Sequence, residues 1–170
     1  MTTASSIRPA VASMPTVLAP NDQHQTRSLQ RERLDAAILR SLGERRAHRM
    51  LRTSASCEAW DDLEQDVARA VALLWKVPVT SATLADDLLA FCAFVARELE
   101  VTASMNLDAS EEWARLEQLA PRAVGALDAV TELLRAHAES NAATRALASV
   151  FGAIRAHFVA ASVVDFRRAA

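Results

Sequence analysis

Apolar side chains recur at intervals of three and four residues along most of the chain, which is the spacing of one face of an α-helix. Five such segments are separated by short polar stretches. This pattern predicts an all-α fold, an antiparallel bundle of about five helices with short loops, formed as a single domain by residues 22–170. The apolar faces contain Leu34, Ile38 and Leu42; Trp60, Leu63, Val67, Val71 and Leu74; Leu88, Leu89, Phe91, Cys92, Phe94 and Val95; Leu116, Leu119, Val124, Leu127, Val130 and Leu134; and Leu147, Val150, Phe151, Ile154, Phe158 and Ala161.

Residues 1–21 lack such a face and contain three prolines among repeated serines and threonines. A segment of this composition buries too little apolar surface to offset the entropy lost on ordering, so we expect a disordered N-terminal arm. A secretion signal can share this composition, and that alternative stays open. The first helix is expected to begin near Thr26 or Ser28, since either side chain can cap a helix.

Gly43 interrupts the first helix and leaves two interpretations of the segment LGERRAHRMLR at residues 42–52. If the helix continues straight, the arginines late in the segment extend the stripe of Ile38 and Leu42, and guanidinium groups follow leucine on one face. If it kinks, a different set is buried and the arginines face away. That second set is Leu39, Leu42, Ala47 and Met50.

The remaining helices have recognisable ends. A turn at residues 53–56 precedes the second helix, with Ser56 as its expected cap. The third helix, at about 84–102, is apolar nearly all round, which is typical of a central helix. The fourth begins near Ser110 and bends or restarts at Pro121.

The amino-acid composition also favours helices, and the charged residues are unevenly distributed along the chain. The chain contains 36 alanines but three glycines and five prolines. Its cations are 18 arginines and a single lysine, which indicates a GC-rich, bacterial source. Residues 1–52 carry nine arginines against four acids, whereas the remainder carries ten cations against seventeen acids. The net charge of −2 disfavours a nucleic-acid binder, whose domain should be basic.

Arg45, Arg49 and Arg52 form the candidate site, a face that could bind an anion or a protein partner. If the first two helices are antiparallel about a tight turn, residues whose numbers sum to about 110 become neighbours. Arg52 would then meet Glu58, Arg49 would meet Asp61 or Asp62, and Arg45 or Arg46 would meet Glu64. We favour this internal pairing over a solvated face or an external anionic partner.

Residues with catalytic, cofactor-binding or metal-binding patterns are not found. The sequence lacks phosphate-binding glycine loops, and none of its four histidines follows a glutamate by three positions, as a di-iron bundle would require. Cys57 and Cys92 lack zinc or dithiol spacing, so we expect reduced, buried thiols in a cytoplasmic protein. The longest apolar run has nine residues, about half a membrane span, and therefore predicts no membrane segment.

Residues 33–49, RLDAAILRSLGERRAHR, resemble the first helix of the all-helical chorismate mutases. In that family an arginine matching Arg45 contacts a substrate carboxylate, so the resemblance implies a chorismate-mutase-like enzyme or an inactive relative. The positions of the family's other helix-one arginine and its lysine fall on Ser28 and Ser56 here, and the Arg-Glu pair of the next helix is missing.

Residues 73–100, LLWKVPVTSATLADDLLAFCAFVARELE, resemble the helix-turn-helix core of a small flagellin-secretion chaperone family of alphaproteobacteria. The resemblance implies a helical protein that binds another protein. Together with the lack of catalytic motifs, it leads us to expect a non-enzymatic bacterial protein-binding module, an adaptor, secretion chaperone or regulator. Its partner would be another protein or a second copy of the chain, without a cofactor. Chorismate-mutase-like catalysis and nucleic-acid binding through Arg45, Arg49 and Arg52 remain the alternatives.

Overall fold

Five α-helices joined by short connections make up most of the chain. The computed structural model describes residues 20–52, 57–76, 82–137 and 141–168. The helices are α1 (Pro20–Met50), α2 (Glu58–Leu74), α3 (Ala82–Ser104), α4 (Ala109–His137) and α5 (Ala142–Arg168). The described residues contain no strand, and the contacts between helices fit an antiparallel bundle. The predicted fold class is therefore confirmed.

Two closely packed helix pairs form the bundle, α1 with α3 and α4 with α5. Arg31 of α1 pairs with Asp86 of α3, and Arg52 donates to the carbonyl of Leu107, in both cases across 55 residues. Because this offset is constant, α1 and α3 run parallel, as alternate helices of an up-and-down bundle do. Helix α2 joins the two pairs, and α3 also contacts α4 directly.

The second helix lies between the two pairs and contacts all four other helices. The expected face of α2 is buried throughout, including Trp60, Leu63 and Val67. The prediction of a central third helix is incomplete, because α3 shares that place with α2. It packs on α1, α2 and α4, and reaches α5 where the Phe91 and Phe151 ring centroids lie 6.3 Å apart. One apolar core thus includes residues of all five helices.

The start of α1 differs from the prediction. The helix begins at Pro20, not near Thr26 or Ser28, and proline suits a first helical position because its φ is already set and its missing N–H is not needed there. The last two residues of the predicted arm thus belong to α1. The rest of the arm and the turn at 53–56 lie outside the described residues. The prediction of Ser56 as the cap of α2 is wrong, because the helix begins at Glu58 and its N-cap is Cys57.

Helix α1 also continues through Gly43, which decides between the two interpretations of the arginine segment. Ile38, Leu42 and Arg45 are buried along one stripe, as the straight helix requires. Leu39 and Met50, which a kinked helix would bury, are 55% and 84% exposed. The kinked alternative is therefore wrong.

Helix α4 likewise runs through Pro121 without restarting. An interior proline removes one backbone hydrogen bond and costs about 3 kcal/mol. Leu119, Ala120 and Ala123 are buried on either side of it. Their packing offsets that cost, so the helix persists.

Across the described residues, no helix combines the length and the apolar character that a membrane-spanning segment needs.

The adjacent residues Ile38 and Leu39 test the orientation of α1, because their side chains are 0% and 55% exposed. We expect Ile38→Ala to lower the free energy of unfolding by about 2–5 kcal/mol, since it leaves a cavity in the core. Leu39→Ala should change it by about 0.5 kcal/mol or less. Urea unfolding followed by circular dichroism measures both, and equal losses would contradict this orientation of α1.

The two cysteines should differ in reactivity. Burial raises the pKa of the Cys92 thiol to about 12, and the thiolate is the reactive form. The expectation that both thiols are buried is wrong for Cys57, which is partly exposed at the start of α2. We therefore expect a disulfide reagent to label Cys57 in the native protein and to reach Cys92 on denaturation. Mass spectrometry of the labelled wild type and of labelled Cys57→Ser protein checks this, and rapid native labelling of that variant would show that the α3 core opens.

Candidate functional site

The arginines late in α1 form a ladder of alternating charges with two carboxylates of α2. Asp61 Oδ1 accepts hydrogen bonds from Arg45 Nη2 at 2.8 Å and from Arg49 Nη1 at 2.7 Å. Glu64 lies between Arg45 and Arg46, with a nitrogen-to-oxygen distance of 3.2 Å to each. Residues three and four apart share one face of a helix, so the sequence spacing itself brings these groups together. Three cations and two carboxylates thus fill this part of the contact between α1 and α2.

Arg45 is the most enclosed cation of the ladder, at 1% exposure, and Glu64 beside it is 3% exposed. Burial lowers the pKa of Arg45, while the neighbouring Glu64 and Asp61 carboxylates oppose that shift. The hydrogen bond to Asp61 raises the pKa of Arg49. Both arginines remain charged because a guanidinium group loses its proton far above neutral pH. The ladder is therefore a partly desolvated ionic network whose members depend on one another.

A second junction links α1, α2 and α4 through Glu112. Its carboxylate forms an ion pair with Arg52 and accepts a hydrogen bond of 2.7 Å from the backbone N–H of Cys57. Its main-chain carbonyl accepts the indole N–H of Trp60, also at 2.7 Å. Cys57 is the N-cap of α2 and makes no capping bond through its side chain. Glu112 therefore supplies the negative charge that favours the start of α2.

The sequence prediction for the arginines was correct in part. Arg45 and Arg49 pair with α2 as expected, and Arg46 also reaches Glu64. The expected pair of Arg52 with Glu58 is wrong, since Arg52 pairs with Glu112 instead. The reason is that Arg52 lies beside the start of α4, where it also donates to the Leu107 carbonyl at 2.6 Å. The role of Arg45, Arg49 and Arg52 as a binding face stays a prediction.

Close to this junction a cleft of about 230 Å³ opens at the end of the bundle where α1 and α3 terminate. It is lined by His48, Leu51, Arg52, Ala103, Ser104 and Asn106. Three large apolar side chains near this end are exposed: Met50 at 84%, Leu51 at 83% and Met105, next to Asn106, at 52%. We call Met50, Leu51 and Met105 the apolar end. The sequence pattern missed it because these residues lie at helix ends, where periodicity stops.

One histidine-carboxylate pair lies elsewhere in the bundle. His157 Nε2 of α5 is 3.0 Å from Asp66 Oδ2 of α2, and Asp66 also meets Arg69 on its own helix. Within the described ranges, no three His, Cys, Asp or Glu side chains are grouped so that they could hold a metal ion. The pair joins α2 to α5 and is most simply a structural contact.

Comparison with known proteins does not assign the chain to a protein class. No protein-family profile, curated protein or solved structure matches the chain. The two family resemblances seen in the sequence therefore stay resemblances.

The buried part of the ladder should be strongly coupled. We expect Arg45→Met to lower the free energy of unfolding by about 3–5 kcal/mol, because it leaves the buried Glu64 carboxylate without that partner. Arg45→Met/Glu64→Leu should cost less than the sum of the two single changes, since no buried charge of this pair is then left behind. Denaturant unfolding of the four proteins completes the cycle.

Arg46→Met is the matched control for that cycle, because the Arg46 side chain contacts the same carboxylate yet is 64% exposed. Its cost should be about 0–1 kcal/mol. Simple additivity of the Arg45 and Glu64 substitutions would contradict the ladder.

Proposed function

We propose that this chain is a non-enzymatic bacterial helical module that binds another protein, as an adaptor, secretion chaperone or regulator does. The supporting observation is the apolar end, where Met50, Leu51 and Met105 are each more than half exposed. Leu51 lines the cleft, and exposed large apolar side chains at one end of a bundle are characteristic of protein-binding surfaces. Methionine is flexible and polarizable, and suits a surface that adapts to its partner.

The apolar end adjoins a buried ion pair that holds it in place. Leu51 is next to Arg52, whose side chain pairs with Glu112, and these two side chains are 3% and 2% exposed. Binding sites supported on fixed elements lose less conformational freedom when they bind. The partner segment best suited to the apolar end and the cleft beside it carries one or more large apolar anchors.

The two alternative functions draw less support from the arrangement of the arginines. Arg45 is buried behind Asp61 and Glu64, so a substrate carboxylate would have to displace both acids to bind it as in a chorismate mutase. Nucleic-acid binding requires cations that are free to neutralise phosphates. Arg45 and Arg52 are both enclosed and paired within the chain.

The proposal is tested by a variant of the apolar end, Met50→Ser/Leu51→Ser/Met105→Ser. A matched control is Leu29→Ser/Leu39→Ser, which changes leucines of α1 that are 53% and 55% exposed. In capture from a lysate of a GC-rich bacterium, proteins held by the wild type and by the control should be lost with the end variant. Affinity for any one of them should fall at least about tenfold.

Binding of a hydrophobic dye provides a second measurement and should also decrease in the end variant but not in the control. Equal capture by all three proteins, or no capture by the wild type, would contradict the proposal. Circular dichroism spectra should coincide, since every substituted residue is exposed.

A further inference from the structure

A groove lies between α3 and α4. Its volume is about 290 Å³, and it is lined by Asp87, Phe91, Phe94, Arg122 and Ala126. Phe91 is 8% exposed and belongs to the core, so it forms the floor. Phe94 is partly exposed on the wall formed by α3. The groove therefore presents aromatic surface that the described part of the chain does not cover.

The two ends of the groove carry opposite charges. The guanidinium carbon of Arg122 lies 5.7 Å from the centre of the Phe94 ring, at one end. Asp87 precedes Phe94 by two helical turns, which places it about 10 Å away at the other end. Ala90 lies between them on the exposed face of α3. The surface is thus acidic at one end, apolar in the middle and basic at the other.

We propose that a second copy of this chain occupies the groove, related to the first by a two-fold axis that passes near Ala90. Under such an axis, if residue i of one copy contacts residue j of the other, then residue j of the first copy also contacts residue i of the second. Asp87 of each copy then faces Arg122 of the other, and the Phe94 ring of each copy lies over the Asp87 end of the other copy's groove. The small side chain of Ala90 allows the two α3 helices to approach closely.

The arrangement of charges favours a second copy over an unrelated partner. A groove with a single sign of charge would repel its own copy, whereas this one is complementary to itself when turned by half a revolution. None of these residues belongs to the apolar end, so the proposal is independent of the proposed function. Loss of the dimer would leave capture through Met50, Leu51 and Met105 intact.

Charge reversal separates the two-fold arrangement from other modes of association. The wild type should have twice the chain mass of 18.4 kDa in light scattering at submillimolar concentration. Asp87→Arg and Arg122→Asp should each be monomeric, because each places two pairs of like charges across the axis. An equimolar mixture of the two variants should return to the dimer mass, since both pairs then have opposite signs.

Arg135→Glu is the control, because Arg135 is exposed on α4 outside the groove, and it should remain dimeric. A monomeric wild type would overturn the proposal. So would single reversals that stay dimeric, or a mixture that stays monomeric, since the pairing of Asp87 with Arg122 across the axis requires the opposite in each case.

Cross-linking gives an outcome that does not depend on charge. A residue close to a two-fold axis meets its own copy, so Ala90→Cys in a Cys57→Ser background should form a disulfide-linked dimer under mild oxidation. The buried Cys92 thiol should not compete. Ala114→Cys, exposed on α4, serves as the comparison and should stay monomeric under denaturing, non-reducing conditions. Equal cross-linking of both variants, or none at position 90, would also overturn the proposal.

Discussion

Burial of the Arg45 guanidinium is the constraint on which the arrangement of the first helices depends. A buried cation without a carboxylate beside it is far more costly than a misplaced apolar side chain. Of the possible registers of α1 against α2, those that bring Asp61 and Glu64 to Arg45 are therefore strongly preferred. Apolar contacts alone would tolerate several registers, because leucine and valine are interchangeable over much of a core. The ladder thus contributes specificity more than net stability.

Glu112 extends this constraint to the rest of the bundle. It lies in the first turn of α4 and contacts Arg52, the Cys57 N–H and, through its carbonyl, Trp60. Because these contacts involve α2 and the end of α1, they fix where the second half of the chain meets the first. The same carboxylate accepts the N–H of Cys57, the N-cap residue, whose own side chain makes no capping bond. One acidic residue of α4 thereby fixes the position of Arg52, after the end of α1, and of the start of α2.

The fold could be predicted because its signals are local. Periodicity located all five helices, and charge spacing identified the partners of Arg45 and Arg49. Contacts between distant segments could not be predicted in this way. In the sequence, Glu112 looks like an ordinary acidic residue in the first turn of a helix. Its ion pair with Arg52 forms only because α4 packs against α1 and α2. The apolar end was missed for a related reason, since exposure of Met50 and Met105 depends on where neighbouring helices terminate.

The two proposed surfaces have a geometric relation that follows from α3. Phe94 lies beside the groove, Val101 is partly exposed seven residues later, and Met105 belongs to the apolar end. Residues at this spacing share one helix face, so the groove and the apolar end lie along a single side of α3. A two-fold axis near Ala90 would make the two α3 helices antiparallel. The apolar ends would then point in opposite directions, and the dimer could hold two partner proteins at once without either one blocking the groove.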